Sequence, residues 1–328
     1  MKVCVVGAGS MGCLYGGLLA RAGTAVTLVD VWVEHVEAIR RHGLRLDGVS
    51  GDLVVPVAAT TELREVEPVD AVFIQVDANT TPAAAQTAVR VLAPDGFAIT
   101  FQNGIGNVER LVEALGDGRV LGGLSYHSAA LRGPGHVTHT HAGPTWIGEL
   151  DGRPTERLRR LHGVLETAGL RPAIADDVRG RIWSKFVHNS AINALCALTG
   201  LRVGEVARCP EADALQTRLI EEVLAVVRAK RITLPDRDPM RSIKELCRVS
   251  FNRPSMLQHL EQGRRTEIDA LNGAVVREGR ALGVPTPYNE AVTWLVKAVE
   301  ARHEQARRGP VDYDRLEAEA RTGASSGS

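Results

Sequence analysis

Lys185, Asn189 and Asn193 recur every fourth position in Trp183-Ser184-Lys185-Phe186-Val187-His188-Asn189-Ser190-Ala191-Ile192-Asn193. That spacing puts the three side chains on one face of a helix. Their neighbours are apolar, so a partly desolvated ammonium is expected there. Its pKa would be drawn toward the range where it gives a proton readily to a forming alkoxide, with two amides beside it to bind a hydroxyl or carboxylate. A solvated helical stripe carrying one Lys fits the bare pattern equally well. In Phe101-Gln102-Asn103-Gly104-Ile105-Gly106-Asn107 an apolar strand ends in a polar, glycine-rich loop, at the edge where open α/β sheets bind ligands. An ordinary Asn-Gly turn also explains that dipeptide. Ser255 precedes the acidic stretch Thr266-Glu267-Ile268-Asp269 by about a dozen positions. Taken alone, Ser255 can be a helix cap and Glu267 a first-turn carboxylate stabilised by the helix dipole.

What such groups would act beside is set by the N-terminus. Gly7-Ala8-Gly9-Ser10-Met11-Gly12 follows the strand Val3 to Val6 and opens a helix through Leu14, Leu18 and Leu19 to a stop at Gly23. In this context Gly7 permits the tight turn, Gly9 the approach of a pyrophosphate and Gly12 close helix-to-strand packing, with the helix N-terminus aimed at the phosphates. The second strand, Ala25 to Val29, ends at Asp30, from which a carboxylate can accept from the adenosine ribose hydroxyls and would repel a 2′-phosphate. Asp30 as a cap of the following helix is the alternative. NAD(H) is therefore favoured over NADP(H), and Asn103 is expected near the nicotinamide.

The elements that must position these groups fall into two textures. Up to about residue 175, short β-branched runs alternate with helical stretches: Val3 to Val6, Ala25 to Val29, Val54 to Val57, Ala71 to Val76, Phe97 to Phe101 and Val120 to Leu124. This predicts a Rossmann-type, doubly wound parallel sheet, with Gly135 to Thr140 and Thr145 to Ile147 extending it. From 176 to 319 helical periodicity prevails, as in Ala212 to Lys230 and Glu267 to Leu282, which predicts an all-helical second domain. The small, polar stretch Ala320 to Ser328 predicts a disordered tail.

With 39 basic and 39 acidic residues among 328, the chain lacks the basic surplus of a nucleic-acid binder, so a small-molecule partner is expected. No window approaches the roughly 20 apolar residues of a bilayer span, and the start has no signal-peptide pattern, so a cytoplasmic protein is expected. The five cysteines form no C-x-x-C pair and are expected to be reduced and mostly buried. His136, His139 and His141 raise a metal site, but strand alternation puts only His139 and His141 on one face, with no acidic or cysteine partner nearby in sequence; no metal is expected.

Taken together, the glycine-rich turn, Gln102-Asn103-Gly104, Gly133-Pro134-Gly135, the W-x-K-x-x-x-N-x-x-x-N helix and the S-M…T-E-I-D segment resemble, in order and approximate spacing, the ketopantoate reductase (2-dehydropantoate 2-reductase) family. The resemblance implies a Rossmann domain and a helical domain with the site in the cleft between them, and often a homodimer. It implies hydride transfer from NAD(P)H to the C2 ketone of a 2-keto acid, with Lys185 as proton donor. By the same resemblance Glu267 orients substrate and lysine, and Asn103, Asn189, Asn193 and Ser255 bind substrate. Most members of the family prefer NADPH and carry an Arg after the second strand, where this chain has Asp30. Many also have Lys where Gln75-Val76-Asp77 stands. A β-hydroxyacid or opine-type dehydrogenase and a non-catalytic NAD(H) sensor are the competing readings.

Overall fold

A computed structural model describes residues 1–324. Strands and helices alternate through the first half: β1 (Lys2–Val6), α1 (Ser10–Arg21), β2 (Ala25–Val29), α2 (Val33–His42), β3 (Leu44–Gly48), β4 (Leu53–Val55) and β5 (Ala58–Thr60). Then follow β6 (Val69–Ile74), α3 (Thr81–Val91), β7 (Leu92–Thr100), α4 (Asn107–Leu115), β8 (Val120–Ser125), β9 (Ser128–Gly133), β10 (His136–His141), β11 (Thr145–Glu149), α5 (Glu156–Thr167) and β12 (Pro172–Ile174). The second half holds α6 (Val178–Thr199), α7 (Val203–Val206), α8 (Pro210–Ala229), α9 (Pro239–Val249), α10 (Ser255–Glu261), α11 (Asn272–Leu282), α12 (Pro287–Arg308) and α13 (Tyr313–Ala324).

Eight strands form the main sheet in the order β12-β11-β8-β7-β6-β1-β2-β5, all parallel from β8 to β5. β11 runs antiparallel to β8 and closes that end together with β12. The chain leaves β1 in one direction for β2 and later returns on its other side as β6, so a switch point opens between β1 and β6, where sheets of this kind bind ligands. The α/β expectation holds, with three adjustments. The run Val54 to Val57 is not one strand: β4 ends at Val55, and after Pro56-Val57 the chain enters β5, in the other sheet, at Ala58. The strand after Gly133-Pro134-Gly135 does not extend the main sheet. It pairs with β9 and with β3 in a second sheet ordered β4-β3-β10-β9. The acidic stretch after Thr266 is a 3₁₀ turn at Ile268–Ala270, and the α-helix starts only at Asn272.

α1 lies between the two sheets, which explains why it is buried from Gly12 to Leu19. The histidines of β10 serve the join. A shift of register against β9 falls between His139 and His141, so His139 turns inward while His141 is exposed, contrary to simple alternation. His139 bonds Ser50 Oγ through Nδ1 at 2.6 Å and His127 Nδ1 through Nε2 at 3.0 Å. The chain ends where His127 Nε2 meets the Leu170 carbonyl at 3.1 Å. That acceptor fixes the proton of His127 on Nε2, leaving Nδ1 to accept from His139. His136 instead pairs with Asp47 at 2.7 Å. Among the described residues no group of three or more His, Cys, Asp or Glu is placed to hold a metal ion.

Beyond Asp176 the chain is helical, with its own core of Phe186, Val187, Leu195, Leu219, Val223 and Val275 among others. α6 is the link. Asp177 caps it by accepting from Gly180 N–H, its first turns pack on β8 and β11, and its last lie among α8, α10 and α12 before it stops at Gly200 (φ +76°). No described helix is long and apolar enough to cross a membrane. The polar stretch expected to be disordered from Ala320 is helical up to Ala324, as the end of α13; residues 325–328 lie outside the described residues. All five cysteines are free, Cys4, Cys13, Cys196 and Cys247 buried and Cys209 half-buried.

Candidate active site

The turn from β1 into α1 has the shape of a phosphate cradle. Gly7 adopts φ +95° and backs onto Gln75 and Val76, where a Cβ would come within 2.8 Å of backbone atoms. A Cβ on Gly12 would lie 1.8 Å from the Gly7 carbonyl oxygen, so helix and turn can meet only if residue 12 has no side chain. A Cβ on Gly9 would meet nothing within 4 Å: that side of the loop is open. α1 starts with neither a side-chain cap nor an acidic residue in its first turn, leaving the N–H groups of Ser10, Met11 and Gly12 and the positive end of the dipole to a ligand. On the other lip, Gln75 Nε2 is a buried donor without a protein acceptor. An anionic dinucleotide fits these groups.

Asp30 closes the far end. Its Oδ2 accepts from Ala8 N–H at 2.6 Å and its Oδ1 from Trp32 N–H at 3.0 Å. It does not cap α2, which begins at Val33 without a side-chain cap. Each carboxylate oxygen keeps a lone pair for a ribose hydroxyl.

The polar residues of the helical half converge above this crevice. Lys185 is half-buried, and its Nζ donates to the Ser125 carbonyl at the end of β8 at 2.6 Å, with the Tyr126 ring centroid 5.5 Å away. Glu267 reaches across from the segment before the 3₁₀ turn. Its Oε1 accepts from Ala78 N–H and its Oε2 from Asn103 Nδ2, each at 3.4 Å. Ile105 N–H donates to the Ala270 carbonyl at 3.2 Å beside them. Desolvation lowers the Lys185 pKa to about 8, opposed by the charge of Glu267. Desolvation, reinforced by the Asp77 carboxylate, raises Glu267 to about 7 against the Asn103 and Ala78 bonds and the pull of Lys185. Burial thus dominates both groups, and near neutrality each lies within reach of a proton exchange.

Of the residues singled out from sequence, Lys185, Glu267 and Asn103 are brought together. Asn189 and Asn193 continue the Lys185 face of α6 by one and two turns, Asn189 half-buried and Asn193 nearly enclosed. Ser255 opens α10, which packs on α6; the cap position belongs to Pro254, and Ser255 is exposed. Glu267 does not sit in the first turn of an α-helix, so the cleft and not a helix dipole surrounds it. Sequence reasoning missed the Ser125 carbonyl, because a backbone acceptor carries no residue signature. It also missed the Asp77-Ala78 turn, whose donor to Glu267 is again a main-chain group.

A sheet edge built to cradle a dinucleotide, faced by a helical domain that delivers a lysine and a carboxylate, is the build of a two-domain oxidoreductase. The comparisons specify which. The family model described as Ketopantoate reductase PanE/ApbA matches residues 3–152, and its C-terminal counterpart matches 177–300. The 2-dehydropantoate 2-reductase of Archaeoglobus fulgidus is 34% identical over 300 residues, covering 92% of this chain and 98% of that protein. The chain therefore belongs to the ketopantoate reductase family. Among solved structures, a PanE/ApbA family ketopantoate reductase from Ralstonia eutropha JMP134 superposes with TM-score 0.86 at 37% identity, covering 93% of this chain and all of that one. D-mandelate dehydrogenase in ternary complex with NADH and anilino(oxo)acetate superposes with TM-score 0.86 at 27% identity, over 93% of this chain and 100% of that one.

Proposed function

We propose that this chain is a 2-dehydropantoate 2-reductase that reduces the C2 ketone of ketopantoate or a similar 2-keto acid, preferring NADH, with Lys185 as general acid. The observation that carries the reading is the meeting of Lys185 and Glu267 from the helical half with Asn103 at the carboxyl edge of the sheet. When bound, the dihydronicotinamide supplies the hydride. Lys185 donates a proton to the carbonyl oxygen of the substrate, Glu267 and Asn103 orient lysine and substrate, and Asn189, Asn193 and Ser255 hold the acid's polar groups. Gly7, Ala8, Gly9, Ser10, Met11 and Gly12 line the pyrophosphate, and Asp30 takes the adenosine ribose. The test is NADH oxidation against a panel of 2-keto acids that includes ketopantoate; a panel without turnover refutes the activity.

Reduction requires Lys185 to carry its proton. The reduction rate is expected to fall as pH rises through about 8, and the reverse oxidation, which needs the neutral amine, to rise through the same value. Parallel profiles of the two directions would contradict that role.

Asp30 underlies the cofactor preference. A carboxylate and one phosphate charge about 5 Å apart repel by about 3 kcal/mol at an effective dielectric of ~20. Solvent screening that halves this still leaves about tenfold. The expected kcat/KM for NADH exceeds that for NADPH by at least about tenfold; a preference for NADPH would count against Asp30 as the selector.

One observation favours a broader acid. Tyr126 is 43% exposed beside the Lys185 ammonium, an apolar wall suited to an aryl substituent, and the superposed D-mandelate dehydrogenase was solved with such a ligand. Arylglyoxylates belong in the panel. A homodimer formed through the helical half is the proposed assembly, supported by Tyr288, Trp294 and Leu295 exposed on α12, and sedimentation tests it. The cytoplasm is the proposed compartment, where five free thiols stay reduced.

A further inference from the structure

Ala8, at the centre of the glycine-rich turn, is held at both of its main-chain polar groups, which belong to successive peptide groups. On one side its N–H donates to Asp30. On the other, Cys13 Sγ donates to its carbonyl at 3.0 Å, and His35 Nε2 lies 3.2 Å from the same sulfur. Gly135 N–H donates to His35 Nδ1 at 3.0 Å, so Nδ1 is the bare nitrogen and the ring proton sits on Nε2, aimed at the sulfur. Donors therefore run one way, from Nε2–H to sulfur and from S–H to the Ala8 carbonyl. Both side chains are completely buried, and burial draws the imidazole pKa down and pushes the thiol up, which keeps this arrangement of protons. The far end is anchored too: Trp32 stacks on the His35 ring at 5.0 Å and 12°, and Gly135 belongs to the turn between β9 and β10.

The Ala8–Gly9 peptide group takes its direction from the bond to Cys13. In a trans peptide the carbonyl and the following N–H point opposite ways, and the described chain has no cis bond. With the Ala8 carbonyl turned inward to Cys13, the Gly9 N–H is turned outward, toward the open side of the crevice, and it has no acceptor among the described residues.

We propose that Cys13 and His35 are positioning residues for the cofactor, fixing the Ala8–Gly9 peptide so that the Gly9 N–H is presented to the pyrophosphate of the dinucleotide. The inference rests on the proposed cofactor reading, and one titration separates the two. NADH binding to the full-length protein is followed by fluorescence, with ADP-ribose, which keeps the pyrophosphate, and adenosine, which lacks it, as competitors. C13A is expected to bind NADH and ADP-ribose about fivefold more weakly, the worth of one modest hydrogen bond, and adenosine unchanged. C13S, which keeps a donor toward the Ala8 carbonyl, is expected to recover part of that loss. Thermal melts report whether each variant is folded. H35Q interrupts the same run from its other end, should C13A fail to fold, and the same selective loss is expected. Wild-type affinity for NADH in either folded variant, or an equal loss for adenosine, overturns the proposal; a wild-type protein that binds no NADH overturns the cofactor reading instead.

Discussion

Lys185→Ala is expected to lower kcat by about 100-fold or more, the range typical for loss of a positioned general acid, while the KM for the keto acid changes far less. The lysine is held where it is by one bond to the Ser125 carbonyl at the end of a core strand, so its replacement removes the ammonium without removing a pillar of the fold. Lys185→Arg sharpens the point. A guanidinium keeps the charge and can still donate to that carbonyl, yet holds its proton far too tightly to give it up. Its turnover is expected to stay low and to lose the decline above pH 8 that the lowered lysine pKa gives the wild-type protein. Near-normal kcat in either variant, measured on protein with an unchanged melting temperature, would remove Lys185 from the chemistry.

A pair of alanines in the glycine-rich turn should separate folding from cofactor binding. Gly12→Ala puts a Cβ 1.8 Å from the Gly7 carbonyl oxygen, and Gly7 cannot retreat because it already backs onto Gln75 and Val76. α1 must move off the sheet, so both effects are expected: a destabilisation of about 1–3 kcal/mol, as for other overpacked sites, and NADH affinity down by more than about tenfold. Gly9→Ala is different. Gly9 sits at φ −67° and ψ −166°, which alanine adopts without strain, and its Cβ would touch no protein atom within 4 Å. The melting temperature should be unchanged while NADH binding weakens, because the methyl group occupies the approach of the pyrophosphate. If Gly9→Ala binds NADH as the wild type does, the phosphates lie elsewhere.

These positions also show what could be read without coordinates. Gly7, Gly9 and Gly12 were legible because the turn's constraints are local: a fixed spacing, a preceding strand and a following helix. Lys185, Asn189 and Asn193 were legible as one face because helical period is local too. The second sheet was not. Its pairing of β10 with β3 joins residues about 90 positions apart, and no property of the six-residue run from His136 to His141 distinguishes an extension of one sheet from membership of another. Nor was the surrounding of Glu267. Its carboxyl is raised by a desolvated cleft and by Asp77, both of which exist only after two halves of the chain have met. Lys185 could be singled out in advance, whereas the carbonyl that holds its ammonium could not, since Ser125 contributes only a main-chain atom.

The route of α6 has a mechanical consequence. Its first turns rest on β8 and β11, and Lys185 is tied to Ser125 of the sheet, while Glu267 belongs to a segment that meets the sheet's loops at Ala78, Asn79, Asn103, Gly104 and Ile105. The lysine is an anvil and the glutamate rides on the jaw. Were the jaw to lift, Glu267 would part from Asn103 and Ala78, whereas the bond to Ser125 would keep the Lys185 ammonium in register with the sheet edge.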